Sequence, residues 1–358
     1  MLHIGMDLSR RRLDVCMMDA DGTVVEESAW PPDADGLAHL VGHVDERFAT
    51  EVVSAIESMT GARFVHDSLE RAGWRVEVAD AQKAKRIAPL ACKTDRIDAW
   101  VLAELSRRDL VPAIWLPDPD VCGQRERARW RMHLVRHRTA LKNRIHATLL
   151  TFGHPCPVAD LFAPNGRELL ARLALPEPWA GDVEAALTLI DVLGDQIAAC
   201  EAELRRLGAD HPYVPLLMTV PGISWILAYT IASELGDISR FASYKKLASY
   251  SGLCPRVYQS GGSDYRGPLS KRGPRYLRWA LIEAAIHAAR HPAYADHYQA
   301  TARRLGRQRG KKVARVEVAR NLCEAIWYML VRDEVFAPCG GSGILAFCDQ
   351  QNSRWLAR

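Results

Sequence analysis

The chain has 358 residues and lacks any run of about 18 uncharged apolar residues, the length a helix needs to cross a bilayer. The first residues, MLHIGMDLSR, carry too short an apolar stretch for a secretory signal, and Asp7 interrupts it. No two of the nine cysteines stand in C-x-x-C spacing, and their number is odd. That pattern argues against a disulfide framework or a structural zinc site, and it fits a reducing cytoplasm. A strong charge of one sign is missing too: 47 Lys and Arg face 43 Asp and Glu, for a net charge of +4. Overall charge therefore does not define a partner, and its distribution becomes the informative quantity. Hydrophobic residues make up 48%, enough for a sizeable core in two or three domains.

The first hundred residues alternate strand-like and helix-like patterns. LHIGMDL is a short apolar run ending near Asp7, and Leu13–Met18 and Thr23–Glu26 read as two strands around the Asp21-Gly22 hairpin signal. A helix is predicted over 36–47, a buried strand ends at Glu57, a helix covers 61–72, and WRVEVAD is a further strand. The last helix begins in KTDRIDAWVLAEL, where Asp95 and Asp98 stand three apart beside Lys93 and Arg96. Acids suit a first helical turn because its dipole end is positive, and a solvated face would account for this pair. Two other acids, Asp7 and Glu57, close strands. In α/β sheets the functional crevice lies at the carboxyl ends of strands. Four carboxylates meeting at one such edge would form a hard oxygen cage for Mg²⁺ or Mn²⁺, suited to phosphodiester chemistry.

The middle of the chain is basic and helical. From Arg125 to Arg144 there are eight Lys and Arg against Glu126 alone, with Trp130, Leu134, Leu141 and Ile145 among them at near-helical spacing. A salt-bridged helix usually alternates signs, so this excess points to a phosphate backbone. A second helix, about 182–207, carries the apolar stripe Ala186, Leu189, Ile190, Leu193, Ile197 and Leu204. It is expected to pair with the first as an antiparallel coiled coil or to mediate a dimer.

Pro221-Gly222 opens a tight turn before an apolar helix, in the manner of a helix-hairpin-helix whose turn amides hold a phosphate. A loop rich in Gly, Ser and Pro is expected from Cys254 to Pro274. It contains QSGGS, with Ser260 ahead of two glycines and basic residues on either side. By default such a serine is a turn residue; beside guanidinium groups it also suits phosphoryl chemistry. Residues 301–315 hold seven more Lys and Arg, and 338–358 match no pattern and are expected to form a disordered or protein-specific tail. The fold class is thus α/β followed by all-α: 1–115, a basic helical spacer at 116–210, a serine-bearing helical domain at 211–337, and the tail.

IGMDLSRRRLDVCMMDADG, AIES and KTDRIDAWVLAEL resemble the DEDD transposases of the IS110 insertion-sequence group. PGI, ASELGD, LASYSGLCP, QSG and LSKRGPRYLR are similar to that group's second, transposase-specific domain. The resemblance implies a RuvC-type, ribonuclease H-like first domain binding Mg²⁺ (or Mn²⁺) through Asp7, Glu57, Asp95 and Asp98. It also implies that Ser260 attacks a DNA phosphodiester, with Ser263 and Ser270 as nearby alternatives. Further implied are double-stranded donor and target DNA, a structured bridge RNA as guide, and a homodimer that becomes a tetramer on DNA, in the bacterial cytoplasm with the nucleoid. Candidate nucleic-acid contacts are Arg125, Arg129, Arg136, Arg138, Lys142 and Arg144 on the helix. Around the serine they are Arg256, Arg266, Lys271, Arg272, Arg275 and Arg278. A RuvC-type junction nuclease and a non-catalytic helix-hairpin-helix DNA-binding protein are the competing readings. An actin-like ATPase shares the core pattern but would need a second phosphate loop, and none is visible.

Overall fold

The computed structural model describes residues 1–87, 94–154 and 156–337. Lys93 and the expected tail at 338–358 lie outside the described residues, as does the side chain of Arg266. The chain divides into two compact units, Met1–Leu116 and a second beginning at Pro117.

The first unit is a five-stranded sheet with helices on its two faces. Its strands are β1 (Leu2–Leu8), β2 (Leu13–Met18), β3 (Val24–Trp30), β4 (Val52–Glu57) and β5 (Arg75–Ala79), in the spatial order β3-β2-β1-β4-β5. The β1–β2 and β2–β3 pairs are antiparallel; β1–β4 and β4–β5 are parallel. The expected hairpin at the front and parallel strands behind are both present. The third strand runs further than Glu26, pairing along β2 until Trp30 meets Leu13. Its acids Glu26 and Glu27 hid it, because an edge strand tolerates charge that a central strand does not. The helices are α1 (Ala34–Phe48), α2 (Ala62–Arg71), the short α3 (Ala81–Ile87), which the sequence pattern did not anticipate, and α4 (Asp95–Arg107).

Alternation along β1 decides what each face carries. Leu2, Ile4, Met6 and Leu8 point into the larger core with Leu37, Leu40, Val65 and Leu69 of α1 and α2. His3, Gly5 and Asp7 point to the other face, which α4 covers. Ser106 of α4 meets His3 at 3.4 Å, while a Cβ at Gly5 would collide with the Ala99 carbonyl and the Ala103 nitrogen. Small side chains on both surfaces, Cys16, Ala55, Ala79, Ala99 and Ala103, permit this approach. Thr94 caps α4 by accepting from the Ile97 N–H at 3.3 Å.

The second unit is helical with one exception. Two long helices, α5 (Pro119–Thr151) and α7 (Trp179–Ala209), flank α6 (Pro164–Arg172). Ion pairs Arg127–Glu203, Arg131–Glu201 and Arg144–Asp182 run in opposite residue order, so α5 and α7 are antiparallel. Of the expected stripe, Ala186, Ile190, Ile197 and Leu204 are buried, whereas Leu189 is exposed. Then follow α8 (Val214–Met218), α9 (Trp225–Leu235), α10 (Tyr244–Tyr250), α11 (Arg275–Ala288), α12 (Pro292–Arg304) and α13 (Gly306–Arg332). Their core holds Leu227, Ile231, Leu281, Ala284, Val318 and Leu322. The exception corrects the expected loop. Residues Pro255–Ser260 (β6) and Ser263–Leu269 (β7) form an antiparallel ribbon. Gly261 and Gly262 turn it at φ 55° and 82°, the left-handed pair of a two-residue hairpin turn. Both strands read as loop because neither buries an apolar face. No helix among the described residues is long and apolar enough to cross a membrane.

The contact at Gly5 sets a test. Gly5→Ala is expected to cost about 1–3 kcal/mol by overpacking, read as a lower Tm and an earlier urea midpoint. Gly42→Ala on α1, where an added Cβ meets nothing within 4 Å, should hold or gain stability.

Candidate active site and nucleic-acid surface

The register Met6↔Ile56 makes Asp7 and Glu57 the next residues on neighbouring parallel strands, at their carboxyl ends and on the α4 face. One helix face of α4 reads Ser106, Ala103, Ala99, Asp95 in steps of three and four. Ser106 lies over His3 and Ala99 over Gly5, so Asp95 falls on the turn toward Asp7. Asp98 stands one turn ahead of Leu102, which packs on Ala55 and Ala79, and so leans to the β4 side where Glu57 ends. Strand and helix thus direct the four acids to the same end of the sheet. Among the described residues, no three His, Cys, Asp or Glu side chains close into a group that could hold a metal ion. Glu57 is within 3.6 Å of the Lys85 ammonium on α3.

One further acid at this end escaped sequence reasoning. Asp14 pairs directly with Asp7 across β1 and β2, so it shares that face, and it is only 3% exposed. Its charge is met by Arg12 at 2.6 Å. Arg96, between the two helical acids, forms an ion pair with Glu27 of β3. A polar residue at an inward position of LDVCMM was the available signal for Asp14.

In the second unit, Ser260 ends β6 at the exposed tip of the ribbon, directly opposite Ser263. Ser270 sits at the ribbon's base, its N–H donating to the Cys254 carbonyl at 2.9 Å. That base is tight: a Cβ at Gly273 would collide with the Tyr250 carbonyl, and one at Gly252 with the Arg272 carbonyl. The Arg278 guanidinium donates to the Ser251 carbonyl at 3.3 Å, and burial pushes its pKa down. Arg256, Lys271, Arg272 and Arg275 are exposed. The Pro221-Gly222 turn between α8 and α9 presses on α11, with Gly222 at φ 82° against the Ala284 carbonyl.

Residues 4–154 match a DEDD-type IS110 model described as Transposase, and residues 214–300 match the Transposase IS116/IS110/IS902 family. The transposase for insertion sequence element IS1328 of Yersinia enterocolitica is 31% identical over 240 residues, covering 65% of this chain and 70% of that protein. A probable family 20 transposase of Pseudomonas aeruginosa is 28% identical over 299 residues, covering 79% and 85%. The pilin gene-inverting protein of Moraxella lacunata is 25% identical over 312 residues, covering 82% and 85%. The chain belongs to the IS110 transposase family.

As a transposase it is an enzyme of DNA strand transfer, and its basic residues acquire a substrate. The structure sorts them. Arg125 is corrected first: it is buried, donating to the Ser233 and Glu234 carbonyls at 2.8 and 2.7 Å at the end of α9. A guanidinium there satisfies orphan carbonyls and opposes the helix dipole, and it is turned away from any phosphate. Arg129 holds the Glu234 carboxylate at 2.8 and 3.0 Å; that carboxylate is 1% exposed. Arg127, Arg131 and Arg144 face acids on α7. The charge excess on α5 is thus largely balanced by acids distant in sequence. Lys142 lies over the Phe162 ring at 4.3 Å. The ring of Tyr276, at the start of α11, gathers Arg129, Arg136 and Arg275 at 5.1, 5.6 and 4.8 Å. Arg129 already has its anion in Glu234; Arg136 and Arg275, on the same ring, join the basic helix to the base of the serine ribbon, an arrangement that a further anion would relieve.

Two outcomes separate these roles. Arg125→Ala should cost roughly 3 kcal/mol, two charge-assisted hydrogen bonds at about 1.5 each, with the salt dependence of duplex binding unchanged in the folded fraction. Arg136→Gln with Arg275→Gln should leave Tm near wild type and lower the slope of log K against log salt by about one per lost phosphate contact.

Proposed function

We propose that this transposase cuts and exchanges DNA strands with Ser260 as nucleophile and with Asp7, Glu57, Asp95 and Asp98 as a divalent-cation site. The observation that carries the reading is the placement of Asp7 and Glu57 side by side at the carboxyl edge of a sheet, under a helix whose first turn holds Asp95 and Asp98. The sheet order, with β1 between β2 and β4, supports a RuvC-type first unit. Carboxylate oxygens are the hard donors that Mg²⁺ or Mn²⁺ takes. Four like charges repel, so closing them into a cage is work for a cation. When bound, it would offset negative charge on the phosphate under attack.

The protein's own chemistry is at Ser260. Its Oγ forms a bond to phosphorus, a P–O bond of the DNA backbone breaks, and the released strand end leaves with a hydroxyl that takes the serine proton. The phosphoserine link conserves the bond energy, and attack by a hydroxyl of the other strand end reverses the step and completes exchange. The exposed ribbon supports this role, because a nucleophile for duplex DNA must project from the surface. Arg256, Lys271 and Arg272, toward the base of the same ribbon, form no ion pair among the described residues, and they suit the charge of the DNA backbone that runs along it. Arg136, Arg138, Lys142 and Arg275 bind the backbone; Arg144 joins them only by exchanging Asp182 for a phosphate, and Arg266 is assigned from its place in the basic serine-bearing stretch. A structured guide RNA, a dimer with the long helices as its arm, and catalytic halves contributed by two protomers complete the reading on the same footing.

Trapping tests it. Wild-type protein incubated with element-end DNA and Mg²⁺ should leave a denaturation-resistant protein–DNA adduct. Ser260→Ala and Asp7→Asn should each lose it by more than a hundredfold, while Ser263→Ala keeps it. Mixing the two inactive variants should restore part of it if the halves come from different protomers. Nicked DNA without any adduct would instead favour a junction nuclease that uses water.

A further inference from the structure

The ribbon that carries Ser260 also carries an exposed pair of tyrosines. Tyr258 and Tyr265 are cross-strand partners, 58% and 63% exposed, although aromatic side chains usually bury most of their surface. Their ring centroids are 6.2 Å apart and tilted by 38°. That lies within the roughly 4.5–7 Å of an ordinary aromatic pair, and the rings need to part and level only slightly to reach the roughly 6.8 Å, two base rises of 3.4 Å, that an inserted planar base requires. Side chains two apart on a strand share a face, so Tyr258 shares one with Ser260 and Tyr265 with Ser263. The serine stands about 7 Å along the strand from the rings. The Tyr258 ring and Arg256 lie against Gly267 on the other strand: a Cβ there would sit in ordinary contact with both, at 3.7 Å from the ring and 3.5 Å from the Arg256 Cβ. Lys245, Lys246, Arg256, Lys271, Arg272 and Arg275 are exposed on the ribbon or near its base, where Asp264 is the one acid of the stretch, a field suited to a polyanion and poorly suited to a second basic surface.

We infer that Tyr258 and Tyr265 form a stacking platform that holds one unpaired DNA base next to the phosphate presented to Ser260. The inference rests on Ser260 as the nucleophile for its place in the reaction, but not for the stacking itself. Gripping a base out of the helix fixes the backbone beside it, so the tyrosines are positioning residues. Aromatic platforms accept any base, which leaves sequence choice to other parts of the complex.

The test uses full-length protein with a fluorescein-labelled (dT)20 strand and a matched 20-base-pair duplex, at one fixed salt concentration. Tyr258→Ala and Tyr265→Ala should each weaken (dT)20 binding by about 5- to 150-fold. Duplex binding should change less than twofold. Tyr258→Phe and Tyr265→Phe should bind (dT)20 as wild type does, since stacking needs the ring and not the hydroxyl. Unchanged (dT)20 binding in both alanine variants overturns the inference. So does equal loss on the duplex, which would mean backbone contact, or dissociation of a wild-type oligomer by the alanine variants in sedimentation velocity, which would mean a protein interface. An adduct still formed by Ser260→Ala removes the nucleophile assignment alone and leaves the (dT)20 result standing.

Discussion

The candidate metal site depends on the contact between α4 and β1 at Gly5. A helix can lie this close to a strand only where the residues directly in contact are small, with larger ones such as Met18 and Leu102 set to the sides. Gly5, Ala55 and Cys16 supply one such surface, and Ala99 and Ala103 the other. Once α4 is seated, its direction is fixed by Ser106 over His3 at the far end. Its first turn then falls at the carboxyl edge of the sheet with no further instruction. The acids keep their exposure because the small-residue contact ends one helical turn before them. Structure and chemistry are thereby separated along one helix: Leu102 and Ala103 pack, while Asp95 and Asp98 face the edge.

The second unit solves a different problem, that of holding many cations in a packed helical body. Arg125 and Arg129 converge on the end of α9, where Glu234 is fully enclosed. Buried charge is tolerable there because each group meets several partners. Further along, Arg127, Arg131 and Arg144 bind α7 to α5 in antiparallel order. Of these, the Arg127 and Arg144 pairs are exposed and contribute little stability each, and phosphates can compete for them, whereas the Arg131 pair is half-buried. Around Tyr276, Arg136 and Arg275 meet a ring in place of an acid, and the positive field opens toward the ribbon base. The helix therefore carries structural charge from Arg125 to Arg131 and again at Arg144, with Arg136 between them facing the ring.

The ribbon is rigid at its base and open at its tip. Gly252 and Gly273 allow backbone to pack on backbone, and Gly261 and Gly262 permit the turn. A serine on such a ladder has a defined direction, which a flexible loop would not give. Exposure on both faces also explains how a segment without a core can still be ordered: its ladder and its anchored ends carry it.

Family, order of elements and the identities of Asp7, Glu57, Asp95, Asp98 and Ser260 as candidates were legible in the sequence. Strand periodicity, helix caps and glycine turns are local, and the motifs carry their own spacing. Asp14 was missed, although a polar residue at an inward position of LDVCMM was there to be read, and only its pairing with Asp7 gave it a meaning. Charge was different. Eight basic residues against one acid looked like a nucleic-acid surface, yet five of them meet carbonyls or acids on α7 and α9, more than fifty residues away in most cases and 38 for Arg144. Coulomb interaction depends on distance in space, and a one-dimensional count cannot see the partner. The ribbon was hidden for a related reason: a hairpin exposed on both faces leaves no apolar alternation, and its ladder of backbone hydrogen bonds exists only once the two strands meet. Sequence alone determined which residues could do chemistry; tertiary packing decided which of them were left free to do it, because burial and pairing are set by neighbours that the chain brings together only on folding.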